Sequence, residues 1–147
     1  MPDDPVTVEV LAAPSPRDAE AIARLIAHLS SARPPDPAEL RDLVSSPTVT
    51  MFVARSGDAI VGTLSLAIFA VPTGRRAWIE DVVVDPRFRE RGIASRLVAA
   101  ALKLATEAAC RTVDLTSRPS RQDANRLYER LGFVRRETNV YRISLGS

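Results

Sequence analysis

Apolar and polar residues follow strand-like and helix-like spacings in turn along the first third of the chain. Alternation over Thr7–Ala13 predicts a first strand. Ser15 and Asp36 are typical N-cap residues, and each is followed directly by a proline, Pro16 or Pro37, a residue favoured at the first helical position. We therefore predict two helices that begin at these prolines, the second of which ends at Val44.

The next segments are rich in β-branched and apolar residues and are separated by turn signals. Arg55-Ser56-Gly57-Asp58 and Pro72-Thr73-Gly74 are typical of tight turns. They divide three predicted strands, Val49–Ala54, Ala59–Val71 and Arg75–Val84. The last of these is mostly apolar towards its end, which favours a central position in a sheet.

The final third predicts two helices and three short strands. The longest helix covers Gly92–Cys110, and a second covers Gln122–Leu131 with Gly132 at the position that commonly ends a helix. Strands are predicted at Thr112–Thr116, Phe133–Arg136 and Asn139–Leu145. The complete order, β-α-α-β-β-β-α-β-α-β-β, predicts a mixed α/β (α+β) protein with helices packed on one sheet.

Composition limits the classes of protein to consider. A chain of 147 residues, with 46% hydrophobic and 26% charged residues, is expected to form one soluble domain over residues 1–147. No apolar run approaches the roughly 20 residues of a membrane helix, and the first five residues do not resemble a signal peptide. One cysteine fits a reducing cytoplasm, and one histidine leaves no His/Cys cluster for zinc.

Charge and aromatic content argue against nucleic acid as a partner. The net charge is only +2, and aromatic residues make up 5% of the chain. Nearly all basic residues are arginines, and Lys103 is the single lysine. In an alanine-rich chain this bias suggests a GC-rich genome, and we expect a bacterial source.

The segment from Val82 to Leu97 carries the most information about function. A valine run ends at Asp85-Pro86, a basic loop follows, and Gly92 opens an amphipathic helix. The first N–H groups of a helix have no internal partner and favour an anion, to which neighbouring arginines can add contacts. An ordinary strand-to-helix turn is the alternative. The three-glycine dinucleotide motif and the Gly-Lys-Ser/Thr phosphate loop are both absent.

Two motifs resemble those of the GNAT superfamily of N-acetyltransferases. Arg89-x-x-Gly92-x-Ala94 is similar to its acyl-CoA pyrophosphate loop, and Ala124–Phe133 is similar to its late helix, which carries a tyrosine and ends in Gly-Phe. The resemblance implies a central, mostly antiparallel sheet of about six to seven strands flanked by about four helices. It also implies acetyl-CoA as co-substrate, an amine as acceptor and no metal.

The resemblance further implies which residues contact acetyl-CoA. The backbone of the strand before the loop would pair with the pantetheine arm, close to a bulge that leaves N–H groups unpaired. Many family members carry a CoA-contacting asparagine where this chain has Arg121, and Asn125 is the candidate to replace it. The implied ligands are Val82, Val83, Val84, Arg89, Glu90, Arg91, Gly92, Ile93, Ala94, Ser95 and Asn125.

Two residues are candidates for proton transfer. The family resemblance implies that Tyr128 protonates the leaving thiolate, which a phenol can do, and the alternative is a tyrosine that only packs its helix. The segment Trp78–Val82, which contains Glu80, resembles a segment of several GNAT enzymes. In those enzymes a glutamate at the matching position helps to deprotonate the amine. The alternative is that Glu80 forms an ion pair with Arg75 or Arg76.

Strand alternation predicts which side chains lie beside Glu80. It assigns Trp78, Glu80, Val82 and Val84 to one face and Ile79, Asp81 and Val83 to the other. We expect a carboxylate on so apolar a strand to have a partner or a function, because a buried charge is costly unless it is paired.

The acceptor amine is not identified by the sequence. The resemblance implies that Ser30–Pro47 and the turn around Val71–Arg76 shape its site. Carboxylates in the first of these segments could attract a cationic amine or could be ordinary surface charges: Asp36, Glu39 and Asp42. A non-catalytic acyl-CoA-binding or sensing domain is the alternative function, and a homodimer is left open.

Overall fold

Alternating apolar residues pair into one sheet in the computed structural model, which describes residues 4–146. The five strands of the described residues are β1 (Val6–Val10), β2 (Val49–Ser56), β3 (Ala59–Val71), β4 (Gly74–Val84) and β5 (Thr112–Asp114). They lie in sequence order, with antiparallel neighbours except for the parallel pair of β4 and β5. The sheet is thus mixed and mostly antiparallel, as expected.

The helices begin where the predicted caps stand. Their bounds are α1 (Pro16–Ile26), α2 (Pro37–Val44), α3 (Ile93–Glu107) and α4 (Gln122–Arg130). The Ser15 hydroxyl accepts the Asp18 N–H while the Asp18 carboxylate accepts the Ser15 N–H, and Asp36 and Glu39 repeat this exchange at α2. Two otherwise unpaired N–H groups are satisfied at each helix start, which confirms both predicted N-termini.

The sheet has helices on both of its faces. One face packs against α1 and α2 in a core whose buried members are Leu11, Ala19, Ala21, Ile22, Leu25, Leu40, Met51, Val53, Ile60 and Val83. The opposite face receives α3, where side-chain atoms of Ile93 and Leu97 would lie 3.3 Å from a Cβ placed on Gly62. Glycine at this position in β3 therefore lets α3 approach the sheet closely.

The chain forms two compact units, Met1–Thr116 and Ser117–Ser147. The first holds the sheet and α1 to α3, and the second holds α4. Whether the two act as one domain over residues 1–147 stays a prediction.

The expected last pair of strands, Phe133–Arg136 and Asn139–Leu145, is wrong. No strand occurs between residues 133 and 146, so the described sheet has five strands instead of six to seven. Large apolar side chains in this segment are between 72% and 91% exposed: Val134, Val140, Tyr141, Ile143 and Leu145. Alternation indicates only a local preference, whereas a strand also needs a neighbouring backbone to complete its hydrogen bonds.

An ion pair joins α1 to the β2–β3 hairpin. The Arg55 guanidinium donates to both carboxylate oxygens of Asp18, at 2.9 and 3.0 Å, and also to the Asp58 carbonyl at 3.1 Å. The Asp18 side chain is only 9% exposed. Hydrogen bonds from Arg55, and to a lesser extent from Ser15, lower the pKa of Asp18 despite its burial. The pair fixes the position of α1 over the sheet.

Replacing Asp18 by Asn should lower the free energy of unfolding by about 2 kcal/mol at neutral pH, because a buried charged hydrogen bond is lost. A depressed carboxyl pKa contributes stability above its unfolded value of about 3.9, and this contribution is lost as the pH falls through the lower folded value. The difference between Asp18→Asn and the unsubstituted protein should therefore shrink below about pH 4. Denaturant titrations at several pH values measure it.

The matched control is Asp58→Asn, since the backbone carbonyl of Asp58, and not its carboxylate, accepts from Arg55. This variant should unfold like the unsubstituted protein at every pH. A difference for Asp18→Asn that did not change with pH would contradict the assigned role of the charge.

Candidate active site

One extra residue interrupts the ladder between β3 and β4. Thr63 pairs with Val83 and Ser65 pairs with Glu80, so two β4 residues, Asp81 and Val82, stand opposite the single Leu64. Asp81 has φ +53°, a left-handed conformation that is uncommon for a residue other than glycine. This arrangement is a β-bulge, which leaves backbone groups outside the ladder. It is the type of feature that the family resemblance implied near Val82–Val84.

The bulge corrects the predicted assignment of side chains to the two faces. Residues directly opposite each other in a ladder project to the same face, and Val83 is opposite Thr63 while Glu80 is opposite Ser65. Glu80 therefore shares the α1 and α2 face with Val83, and Val84 belongs to the other face. Strict alternation had placed Glu80 on the same face as Val84 and on the face opposite to Val83. It does not account for the extra residue, which inverts the face of every later side chain in the strand.

Glu80 is exposed, so the expected cost of burying its charge does not arise. Its Oε1 accepts a hydrogen bond from the Trp78 indole N–H at 2.8 Å. The two arginines considered as ion-pair partners bind elsewhere: Arg75 donates to the Ala108 carbonyl and Arg76 to the Thr73 hydroxyl. Sequence reasoning missed the Trp78 contact, although a spacing of two residues on a strand could have indicated it.

The loop after β4 uses some of its charges to hold its own shape. A single 3₁₀ turn covers Pro86–Phe88, and the Asp85 carboxylate caps it by accepting the Arg87 N–H. The same carboxylate binds the Arg87 guanidinium at 2.9 and 3.2 Å, and this contact lowers the pKa of Asp85. The Arg91 guanidinium lies 5.0 Å from the centre of the Phe88 ring. By contrast, the Arg89 guanidinium has no hydrogen bond or ion pair among the described residues.

The N-terminus of α3 follows this loop with its N–H groups available. Glu90 and Gly92 both have left-handed backbones, with φ +63° and +72°. Gly92 is the N-cap residue and provides no side-chain hydrogen bond to the helix. The first intrahelical bond runs from the Arg96 N–H to the Gly92 carbonyl, so the N–H groups before it can bind an anion.

Tyr128 lies in α4 and is buried. Its ring meets that of Phe133 edge-on, with centres 5.9 Å apart. Burial raises the pKa of Tyr128, an effect partly opposed by the nearby positive charge of Arg121. Its hydroxyl has no hydrogen-bond partner within the part of the chain that the structure describes. The phenol therefore stays protonated at neutral pH, as a proton donor must.

Asn125 has a structural contact of its own. Its side-chain N–H donates to the Arg118 carbonyl at 3.0 Å, across the loop that precedes α4. The family's usual asparagine is replaced by Arg121, which is the N-cap residue of α4 and makes no side-chain cap. The contact of Asn125 with CoA stays a prediction. The side chain of Asn125 already holds the loop that precedes α4.

Two of the three carboxylates expected near the acceptor maintain α2. Asp36 and Glu39 form its capping box. Glu39 also binds the Arg33 guanidinium at 2.8 and 3.0 Å, which lowers the pKa of Glu39 to about 2. Local structure therefore explains the positions of Asp36 and Glu39. Asp42, by contrast, has no hydrogen bond or ion pair among the described residues.

A groove of about 650 Å³ lies beside α1, between the β2–β3 hairpin and the Asp85–Phe88 segment. None of the predicted site residues lines it. Among residues 4–146, no group of three or more His, Cys, Asp or Glu side chains could hold a metal ion. Over the same residues, no helix has the length and apolar character required to cross a membrane.

Known proteins are similar to this chain in sequence and in fold. The chain is 32% identical to the aminoglycoside N(6')-acetyltransferase type 1 of Serratia marcescens over 116 residues, which is 74% of this chain and 80% of that protein. It is 45% identical to the N-alpha-acetyltransferase MAK3 of Arabidopsis thaliana over 60 residues, 41% of this chain. The chain spans about a third of the length of this relative, 32%.

A solved structure extends the similarity to nearly the whole chain. The crystal structure of an acetyltransferase from Trypanosoma brucei superimposes with a TM-score of 0.80 at 28% identity, and the match covers 96% of this chain and all of that one, 100%. A sequence profile of the acetyltransferase (GNAT) family matches residues 19–133. The match includes the β4 bulge, the loop and the N-terminus of α3, and α4 with its tyrosine. The chain therefore belongs to the GNAT family of acetyltransferases.

Proposed function

We propose that this protein transfers the acetyl group of acetyl-CoA to a primary amine. The observation that carries the proposal is the continuous segment Asp81–Ser95, in which a β-bulge is followed by a helix N-terminus with no side-chain cap. The first feature offers backbone donors to a thioester and the second offers them to a pyrophosphate. Membership of the acetyltransferase family supports this assignment.

The co-substrate would lie along this segment. The backbone of Val82–Val84 would pair with the pantetheine arm. The N–H groups of Gly92–Ser95 would bind the pyrophosphate, because they have no intrahelical acceptor and lie at the positive end of the helix dipole. The guanidinium of Arg89 would add a charged hydrogen bond, with Arg91 beside it. Left-handed Glu90 and Gly92 would set the direction in which the loop enters the helix.

The reaction would be a direct attack with no covalent enzyme intermediate. Glu80, or a water that it orients, would take a proton from the ammonium group so that the neutral nitrogen can attack the thioester carbonyl carbon. Backbone N–H groups at the bulge would stabilise the negative oxygen that develops. The new C–N bond forms, the C–S bond breaks, and Tyr128 donates its proton to the departing sulfur. The nitrogen loses its second proton to solvent as the amide forms, and solvent returns a proton to the Tyr128 phenolate. The products would be the acetylated amine and free CoA thiol.

The acceptor would belong to one of two classes of amine. The names of the relatives specify an alpha-amino group and the N(6') amine of an aminoglycoside. Residues of the segments Ser30–Pro47 and Val71–Arg76 would select between them. We expect the protein to work in the cytoplasm of a bacterium, as a monomer or homodimer, without nucleic acid.

The first test is the release of CoA thiol from acetyl-CoA in the presence of separate amines: polyamines, amino acids, aminoglycosides and short peptides with free N-termini. Release with one class above the hydrolysis background is expected, and it identifies the acceptor. Binding of acetyl-CoA by calorimetry accompanies the assay. Tight binding without release across the panel would favour a sensing domain, and absence of binding would overturn the proposal.

Tyr128→Phe should lower kcat by about 100-fold, in the range expected for loss of a general acid, with little change in the KM for acetyl-CoA. Phenylalanine retains the packing against Phe133, so thermal unfolding should change little. The control is Tyr141→Phe, because Tyr141 is the second tyrosine of the chain and is 87% exposed. Equal kcat values in the two variants would remove the proposed acid.

Gly92→Ala should raise the KM for acetyl-CoA by about tenfold, since a left-handed backbone costs an alanine about 1–2 kcal/mol and the loop would relax away from the position that binds phosphate. A Cβ on Gly92 would meet no atom within 4 Å, so only the backbone angle opposes the change. Steady-state kinetics with varied acetyl-CoA measures the effect.

Gly57→Ala is the matched control for this backbone effect. Gly57 has a similar φ, +59°, but lies in the β2–β3 hairpin. Both variants should lose stability, and only Gly92→Ala should bind acetyl-CoA less tightly. An unchanged KM in Gly92→Ala would show that the loop does not hold the co-substrate.

A further inference from the structure

The indole of Trp78 and the carboxylate of Glu80 form a hydrogen-bonded pair on one face of β4. The two residues are separated by one position, and they stand opposite Ala67 and Ser65 of β3, whose side chains are small. The indole N–H donates to Glu80 Oε1 at 2.8 Å. It is the one hydrogen bond to this carboxylate among the described residues.

The kind of donor matters for a carboxylate that must accept a proton. An arginine would bind both oxygens and cancel the negative charge. The indole N–H is a neutral donor with no acceptor capacity, so it binds one oxygen and cannot itself take the proton. Glu80 thus keeps a second oxygen, Oε2, that can face an amine. This separates the Trp78 contact from an ordinary structural ion pair.

A glutamate on an exposed strand surface samples many rotamers, and fixing a long side chain costs entropy. Trp78 is half-buried and has only two side-chain torsions, so its N–H is a steady anchor. We infer that Trp78 is a positioning residue, which holds the Glu80 carboxylate in one orientation. The inference rests on the proposed role of Glu80 as the base.

Other charged groups lie on the elements around the pair. Asp114 of β5 is opposite Trp78 in the parallel ladder, and Arg76 lies two residues before Trp78 on the same face of β4. Asp81 is in the adjacent bulge. On this face of the sheet, α1 contributes apolar Ile22 and Leu25 together with Asp18, whose carboxylate is bound by Arg55. Asp114 is the acid that stands opposite the indole, and the experiment has to exclude it.

The kinetic test is a double-mutant cycle of Trp78→Phe and Glu80→Gln, measured as kcat for the amine and KM for acetyl-CoA. Trp78→Phe should lower kcat by about tenfold, because a carboxylate that is no longer held in one orientation is misplaced for proton transfer, and should leave the KM for acetyl-CoA unchanged. In the Glu80→Gln background the same substitution should have no further effect on kcat. An equal loss in both backgrounds would show that Trp78 acts only by packing.

A second test does not require catalysis, because Trp78 is the single tryptophan of the chain. Glu80→Ala removes the acceptor of the indole N–H, so the fluorescence emission maximum should shift in this variant. The emission should stay unchanged in the control Asp114→Asn. A shift in Asp114→Asn with none in Glu80→Ala would overturn the inference.

The two tests separate the two possible failures. A fluorescence shift on Glu80→Ala in a protein that acetylates no amine would retain the Trp78–Glu80 contact and reject the proposed function. Acetyl transfer with no such shift, and with a kcat unchanged by Trp78→Phe, would retain the function and reject the positioning role.

Discussion

The single extra residue in β4 is the constraint on which the arrangement of this site depends. Because Asp81 and Val82 share one partner in β3, all later residues of the strand change face. Val83 then enters the core under α1, while Glu80, on the same side of the sheet, stays exposed. One local irregularity thus allows a strand to fill the core near its end and to present a carboxylate to solvent a few residues earlier. The left-handed Asp81 is the backbone cost of this arrangement.

Several carboxylates of the chain are bound by arginines and stabilise local structure. Asp85 holds Arg87 and caps the turn after β4, and Glu39 binds Arg33 at the start of α2. Asp18 and Arg55 connect α1 to the β2–β3 hairpin. A carboxylate bound by a guanidinium is a poor proton acceptor, since the pair stabilises its charged form. Glu80 differs from these carboxylates because its donor is the neutral indole N–H of Trp78.

The N–H groups at the N-terminus of α3 are available because this helix has no side-chain cap. Both α1 and α2 begin with a side chain that accepts their first N–H groups, whereas α3 begins with a left-handed glycine that provides no acceptor. A cap stabilises a helix by about 1 kcal/mol. Its absence at α3, next to a basic loop, leaves donors that a bound anion can satisfy. The packing of Ile93 and Leu97 against the sheet keeps this helix in place without a cap.

The sequence by itself determined the features that depend on neighbouring residues: the caps Ser15 and Asp36, the hairpin turns, and the order of elements as far as α4. It also indicated the loop before α3, since Gly92 and the preceding arginines form a local motif. Only the tertiary structure decided the bulge in β4 and the absence of strands after Phe133, because a ladder needs two backbones and alternation describes only one. It likewise decided the partner of Glu80. Hydrogen bonds between side chains follow from distances in space, and spacing along a strand gives only the candidates.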